Sequence, residues 1–278
     1  VQETFTIAQL QKILSNFKKS GKSIGFVPTM GALHAGHISL IEKAKSENDL
    51  VVCSIFVNPT QFNDPKDLLK YPRTPEHDKQ LLLKAGCDIL FSPAVDEMYP
   101  EKDNRVFDFG GLDKVMEGIH RPGHFNGVAQ IVSKLFDAVK PNKAYFGKKD
   151  FQQLVIIKHI TKQLNLPIEI IACETVREND GLAMSSRNML LNNNERTQAI
   201  QLYKALSFVK QNASVLSVNE LKEKVNEMLS DFNLIKTEYF EIVDADTLQT
   251  VNKIVPGKTV ACIAAFVGNV RLIDNISL

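Results

Sequence analysis

The chain has 278 residues, 44% of them apolar and 23% charged, with a formal net charge of +1. That length suits one large or two modest domains with a buried core, and the composition excludes a disordered chain. No long basic tract and no apolar run of membrane-spanning length occurs, so neither a nucleic-acid-coating surface nor a membrane span is expected.

In chain order, the first residues lack the basic-then-apolar pattern of a secretory leader, and none is expected. Thr6 followed by Gln9 reads as a capping box, and Ile7, Leu10, Ile13, Leu14 and Phe17 then fall at helical spacing. SIGFVP reads as a buried strand, and a helix follows from about 36 to 47 with Ile38, Ile41 and Ala44 inward. LVVCSIFV is the next strand, and NPTQFNDPKDLLKYPRT is a long polar loop. Residues 75–85 read as helix, CDILFSP as strand, 125–138 as helix, KAYFG as strand, 151–164 as helix and IEIIAC as strand. This alternation predicts βαβ units and a mostly parallel sheet, with ligands beyond the carboxyl ends of the strands. The polar loops 28–37, 58–74, 146–153 and 174–188 all follow strands and are expected to converge there.

Near residue 175 the texture changes. Helical patterns at 195–211 and 218–231 precede strand-like runs at 237–243, 259–266 and 270–273. Two domains are expected, 1–175 as α/β and 176–278 as a smaller α+β unit. The cysteines at 53, 87, 173 and 262 are scattered without a CxxC and read as buried free thiols of a reducing compartment.

PTMGALHAGHISL (28–40) lies where the first buried strand gives way to a helix. Gly31 and Gly36 permit a tight turn and close approach to a ligand. The helix after Gly36 turns free N–H groups and its positive end to the crevice, a place suited to phosphate. His34 and His37, three residues apart, can aim together, donate to phosphate oxygens and stabilise charge as phosphate bonds rearrange. Beside this stand two other readings: histidines that only cap and fill, and a metal set of His34, His37, His120 and His124. No H-E-x-x-H and no nearby cysteine supports the metal set.

In YFGKKDFQQL (145–154), Gly147 closes a strand and Lys148, Lys149 and Asp150 stand at the next helix start. A lysine there can meet a polyphosphate as a point charge, while Asp150 could cap the helix, hold a ribose hydroxyl or hold Mg²⁺. The alternative is a solvated charged turn. AMSSRN (183–188) offers two hydroxyls and an arginine that could close over phosphates, or is simply a serine-rich loop. Gln61 and Gln153 lie in strand-following segments, where an amide suits a ligand with hydroxyls and a carboxylate. RPGHFNGV (121–128) is either an anion contact or the start of a helix.

Together and in this order, FVPTMGALHAGHISLI, VNPTQF, YPRT, RPGHFNGV, FGKKDFQQL and VRENDGLAMSSRN resemble the pantothenate synthetase family over about residues 24–190. The resemblance implies an ATP-dependent, AMP-forming ligase. Pantoate and ATP give pantoyl adenylate and pyrophosphate; β-alanine then attacks, giving pantothenate and AMP. That family is similar to the nucleotidylyltransferases and class I synthetases, with their HIGH-like motif and Rossmann-type domain. It therefore implies a Rossmann-like parallel sheet domain followed by a smaller α+β C-terminal lid domain. It also implies Mg²⁺ and a cytosolic homodimer, without nucleic-acid or membrane partners.

Carried over by position, Met30, Gly31, Ala32, Leu33, His34, Ala35, Gly36 and His37 would bind ATP, with His37 as proton donor and His34 as phosphate partner. Gln61 would contact pantoate and β-alanine, and Gln153 pantoate. Gly147, Lys148, Lys149, Asp150 and the backbone at Val176 would hold ATP, and Met184, Ser185, Ser186 and Arg187 would fold over it. His34, His37, Lys149 and Arg187, with Mg²⁺, would offset the repulsion between carboxylate and triphosphate. Asn58, Tyr71, Arg121 and His124 lie in the same motifs without an assigned role. Four rivals stand at this point: a nucleotidylyltransferase that keeps the nucleotide in its product, a tRNA synthetase, for which no basic anticodon-binding domain is visible, a nucleotide-sensing module, and a zinc hydrolase using the four histidines. Release of AMP separates the ligase from the first.

Overall fold

The computed structural model describes all 278 residues. The first part runs β1 (Gln2–Thr4), α1 (Ile7–Lys19), β2 (Ile24–Thr29), α2 (Ala35–Glu47), β3 (Leu50–Ile55), α3 (Pro65–Lys70) and α4 (Pro75–Lys84). It continues through β4 (Ile89–Phe91), α5 (Val95–Met98), α6 (Glu117–His120), α7 (His124–Val139), β5 (Lys143–Gly147), α8 (Phe151–Gln163) and β6 (Glu169–Cys173). The second part holds α9 (Asn193–Asn212), α10 (Val218–Ser230), β7 (Ile235–Asp244), β8 (Thr259–Val267) and β9 (Val270–Ser277).

Six strands form one sheet in the order β1-β4-β3-β2-β5-β6, and every pairing is parallel. This is the predicted Rossmann-like layer. Helices cover both faces, which is why strands such as LVVCSI are apolar without alternation. Leu10, Phe26 and Phe136 belong to the core on one face, and Val27, Ile41, Leu82 and Tyr145 to the core on the other. From β2 the chain steps outward to β3 and β4, then returns to lay β5 on the other side of β2. The order therefore reverses between β2 and β5, and loops leaving those two strands face each other across a crevice.

The second sheet is antiparallel, β7-β8-β9, as expected for a smaller α+β unit. Its residues alternate: Ala261, Ile263, Ala265 and Val267 pack with α9 and α10, while Val260 and Cys262 pack with Phe125, Ile156 and Ile160 of the first part. The small sheet is thus covered on both faces, and one of those covers is the larger α/β part of the chain.

Several boundaries differ from expectation. Thr6 caps α1 by accepting from the Gln9 N–H, but the Gln9 side chain returns to the Phe5 N–H, so the predicted box closes one residue early. The polar loop 58–74 contains α3, started by the Asp64 side chain and Pro65. β1 was not anticipated, and β9 runs to Ser277 rather than ending near 273. All four cysteines are free thiols, three of them buried and Cys173 half-buried. No helix is long and apolar enough to cross a membrane.

Candidate active site

Past β2 the chain reverses through two left-handed residues, Gly31 (φ 82°) and Ala32 (φ 49°). Asp78 of α4, 1% exposed, holds this turn. Its carboxylate accepts the N–H of Ala32 at 2.9 Å and of Leu33 at 2.8 Å, and the Thr74 hydroxyl at 2.9 Å. The turn delivers His34 to the cap of α2. The Gly36 N–H donates to His34 Nδ1 at 3.2 Å, and the His34 N–H donates to His37 Nδ1 at 3.3 Å. A side chain at Gly36 would meet the His34 ring at 2.9 Å, so glycine is what lets that imidazole lie back on the helix start.

With both Nδ1 atoms accepting, a neutral ring carries its proton on Nε2. Neutral is the form the site favours. Burial, helped by the Lys149 ammonium, holds His34 down to about 4, and burial, helped by His34 and Lys149, holds His37 down to about 3. The two rings lie 4.1 Å apart between centroids. Of the eight positions 30–37, Met30, His34, Gly36 and His37 line the crevice. Gly31, Ala32, Leu33 and Ala35 do not: the Gly31 N–H turns to Thr29 Oγ1, and those of Ala32 and Leu33 are taken by Asp78. Gly31, Ala32 and Leu33 build the turn rather than the contact surface, and Ala35 opens α2 with its side chain exposed.

Opposite, Gly147, Lys149 and Asp150 line the crevice where β5 ends. Lys148 does not, being paired with Glu174. Lys149 is 19% exposed, with its Nζ 3.6 Å from an Asp150 oxygen. Asp150 stands at the cap position of α8 without making a cap bond, so of the roles open to it capping is removed. The carbonyls of Lys148 and Lys149 both accept from the Asn275 side chain of β9, at 2.9 and 2.8 Å.

Val176, Met184, Ser185, Ser186 and Arg187 form the third wall. Ser186 Oγ donates to the Ala32 carbonyl at 3.1 Å, which ties this segment to the histidine turn. Arg187 reaches Asp67 of α3 at 3.0 Å and lies over the Tyr71 ring at 5.7 Å.

The far end is built around Gln61. Asn58 donates to Gln61 Oε1 at 3.2 Å, and Tyr99 and Thr60 donate to Asn58 Oδ1 at 2.8 and 3.1 Å. That fixes the Gln61 amide with its NH₂ outward, resting against only the weak acceptor Met30 Sδ at 2.9 Å. Its backbone carbonyl accepts from His124 Nδ1 at 2.7 Å and from Arg121 at 3.3 Å. RPGHFNGV is therefore both the start of α7 and a brace for Gln61. Gln153 and its neighbour Gln152 both line the crevice, but the Gln152 amide is consumed by the carbonyls of Leu112 and Val115 and the N–H of Glu117.

The four histidines do not form a ligand set. His120 stacks on Tyr239 and His124 is engaged with Gln61 and Arg121, away from the pair at the start of α2. The sequence reading missed Asp78 and Asn275. A signal existed for Asp78, which lies four residues before Leu82 on the buried face of α4. Asn275 sits with Asp274 where polar residues interrupt an apolar strand.

A family model described as pantoate-beta-alanine ligase matches residues 2–277. The chain belongs to the pantoate-beta-alanine ligase family. Pantothenate synthetase of Bacteroides fragilis is 53% identical over 272 residues, covering 98% of this chain and 96% of that protein. That of Cytophaga hutchinsonii is 51% identical over 274 residues, covering 98% and 97%. Among solved structures, pantothenate synthetase from Thermus thermophilus superposes with a TM-score of 0.94 at 42% identity, covering 100% of this chain and 99% of that one. The Francisella tularensis ligase, complexed with beta-gamma ATP and beta-alanine, gives 0.84 at 38% identity, covering 100% and 97%. The chain is an ATP-dependent ligase that condenses pantoate with β-alanine through an adenylate, releasing AMP and pyrophosphate.

Proposed function

We propose that the ligase activates pantoate between the two loops that leave β2 and β5. The pantoate carboxylate attacks the α-phosphorus of ATP, an anion meeting an anion. His34 and His37 donate from Nε2–H to phosphate oxygens, and Lys149 and Arg187 place positive charge on the triphosphate as pyrophosphate departs. His37, the donor the family resemblance implies, acts here in its neutral form, as a hydrogen-bond donor from Nε2–H rather than as an acid, and His34 is the phosphate partner. Gln61, with its NH₂ outward, and Gln153 orient pantoate, and Gln61 then meets β-alanine. The β-alanine amine attacks the acyl carbonyl and displaces AMP. Met184 to Arg187 cover the nucleotide and keep water from the adenylate.

Asp150, 49% exposed at the crevice lip and without a cap bond, fits a single protein ligand to a nucleotide-bound Mg²⁺. When bound, that ion supplies neutralisation of phosphate charge. We place the domain boundary at 175/176 and read 176–278 as the lid. A cytosolic homodimer accompanies this reading, as the family resemblance implies.

The observation that carries the reading is the pair of imidazoles, each accepting a backbone N–H at Nδ1, that line one crevice with Lys149 where the strand order reverses. The test is pantoate-dependent exchange of labelled pyrophosphate into ATP, followed by AMP release on adding β-alanine. His34→Ala and His37→Ala should each slow exchange by about 10²–10³, the range for one preorganised donor. Exchange at the wild-type rate by the double variant would remove both from the mechanism.

A further inference from the structure

We propose that Asn275, on β9 of the small domain, is a positioning residue for Lys149. The proposal rests on the role given to Lys149 above. Asn275 is 8% exposed and its side chain donates to the Lys148 carbonyl at 2.9 Å and the Lys149 carbonyl at 2.8 Å. Both partners are carbonyl oxygens, so only the NH₂ edge of an amide can face them. No acceptor of the same shape can take its place.

Apart from the Lys148–Glu174 pair and the strand and helix on either side, the segment it grips has little to fix its backbone. Lys148–Asp150 is a single tight turn between β5 and α8, and neither it nor α8 has a side-chain cap. A turn of this length has weak hydrogen-bond geometry of its own. Where the Lys149 backbone sits decides where its ammonium lands, and a displacement of about 1 Å is enough to lose much of the rate.

Asn275 is itself held. Arg177 donates to both oxygens of Asp274, at 2.6 and 3.0 Å, and to the Asn275 carbonyl at 3.2 Å. The Asn275 N–H donates to Asp274 Oδ1 at 2.8 Å. Arg177 adjoins Val176 of the third wall. The segments after β5 and β6 are therefore tied to the same two residues of β9, and Lys149 is placed only while the small domain is docked. Adenylation and domain position become linked through one amide.

The experiment is a double-mutant cycle on the full chain, read by pyrophosphate exchange and by thermal melting of each variant. Asn275→Ala should lower kcat about 10-fold, the worth of one to two such hydrogen bonds, with the pantoate KM within about twofold. Lys149→Ala should lower it about 10²-fold. The double variant should be no more than about twofold slower than Lys149→Ala alone, because one residue acts through the other. If Asn275→Ala does not fold, Asn275→Asp, of the same shape but turning an acceptor toward the two carbonyls, takes its place with the same expectations. Wild-type kcat in the folded Asn275 variant, with or without a lower melting temperature, overturns the proposal. Losses that multiply in the double variant overturn it too, and in both cases the reading of Lys149 stands. Wild-type exchange by Lys149→Ala overturns that reading and the proposal together.

Discussion

His124 shows how a buried imidazole can serve without titrating. Its Nδ1–H goes to the Gln61 carbonyl, and its Nε2 accepts a hydrogen bond from the Arg121 guanidinium at 3.2 Å. Burial, and then the Arg121 charge, push it from the ordinary 6.5 down to about 3. In the unfolded chain it binds a proton near pH 6.5, but in the folded protein only near 3. Between those values the unfolded state binds more protons, so stability is complete above about pH 6.5 and falls on acidification. The loss approaches 1.4 kcal/mol per pH unit for this side chain, roughly. His34 and His37 are displaced in the same direction and add to it. Urea unfolding between pH 6.5 and about 4 should therefore show a shallower slope for His124→Gln than for the wild type. An unchanged slope would mean that this histidine is already charged in the folded state.

At the scale of elements, α3 and the tight turn Ser186–Leu190 meet across the mouth of the crevice through Asp67 and Arg187. In the proposed reaction the same guanidinium serves phosphate, so nucleotide must compete with Asp67. Both partners are partly exposed, at 39% and 27%, which limits the pair to about 0.2–1 kcal/mol. Asp67→Asn should lower the KM for ATP about two- to fivefold with kcat unchanged, measured by exchange at varied ATP. A raised KM would show that Asp67 helps to hold the nucleotide instead.

The same elements show what a sequence can disclose. The segments around His34, Gln61 and Lys149 were legible because each is a short local pattern following an apolar strand, whereas Arg187, well past the end of β6, stood out through the family resemblance. The histidine turn also carried its own explanation, since Gly31 and Gly36 are required there by backbone angle and by the His34 ring. For Asp78 the spacing to Leu82 signalled burial, but its role was not legible. The partners that justify a buried carboxylate are backbone N–H groups more than forty residues earlier, and no local rule connects them. β9 was cut short for a similar reason. Asp274 and Asn275 read as the end of a strand, yet both are buried because Arg177 and the Lys148 and Lys149 carbonyls meet them there. Long-range polar pairing hid both the strand and its role.

At the scale of the whole molecule, the two sheets are joined by a buried charge cluster as well as by apolar packing. Glu117 of α6 accepts from Arg271 of β9 at 2.8 and 2.7 Å and from Tyr239 of β7 at 2.9 Å, and Arg271 also pairs with Glu238. Arg271 holds the Glu117 carboxyl below the usual carboxylate range even though burial opposes it. Removing Arg271 takes away the bonded counter-charge of both acids and leaves Glu117 only the more distant Arg121 at 3.8 Å, the costly way to break such a cluster. Arg271→Ala should destabilise the protein by about 3–5 kcal/mol in urea unfolding, while Arg271→Ala with Glu117→Gln should recover part of that loss. A single variant as stable as the wild type would assign the joint to the apolar contacts alone.

β8 and β9 are connected by only Gly268 and Asn269, with Val267 paired to Val270. That short hairpin sets which way every residue of β9 faces, and Arg271, Ile273 and Asn275 share one side of it. A single residue added to the bend, remote from any substrate, would invite a register slip that swings the arginine and the asparagine to the opposite face together. The length of a two-residue loop at the edge of the small domain is thus a dimension of the catalytic machinery, and homologous chains should vary there far less than an exposed bend ordinarily does.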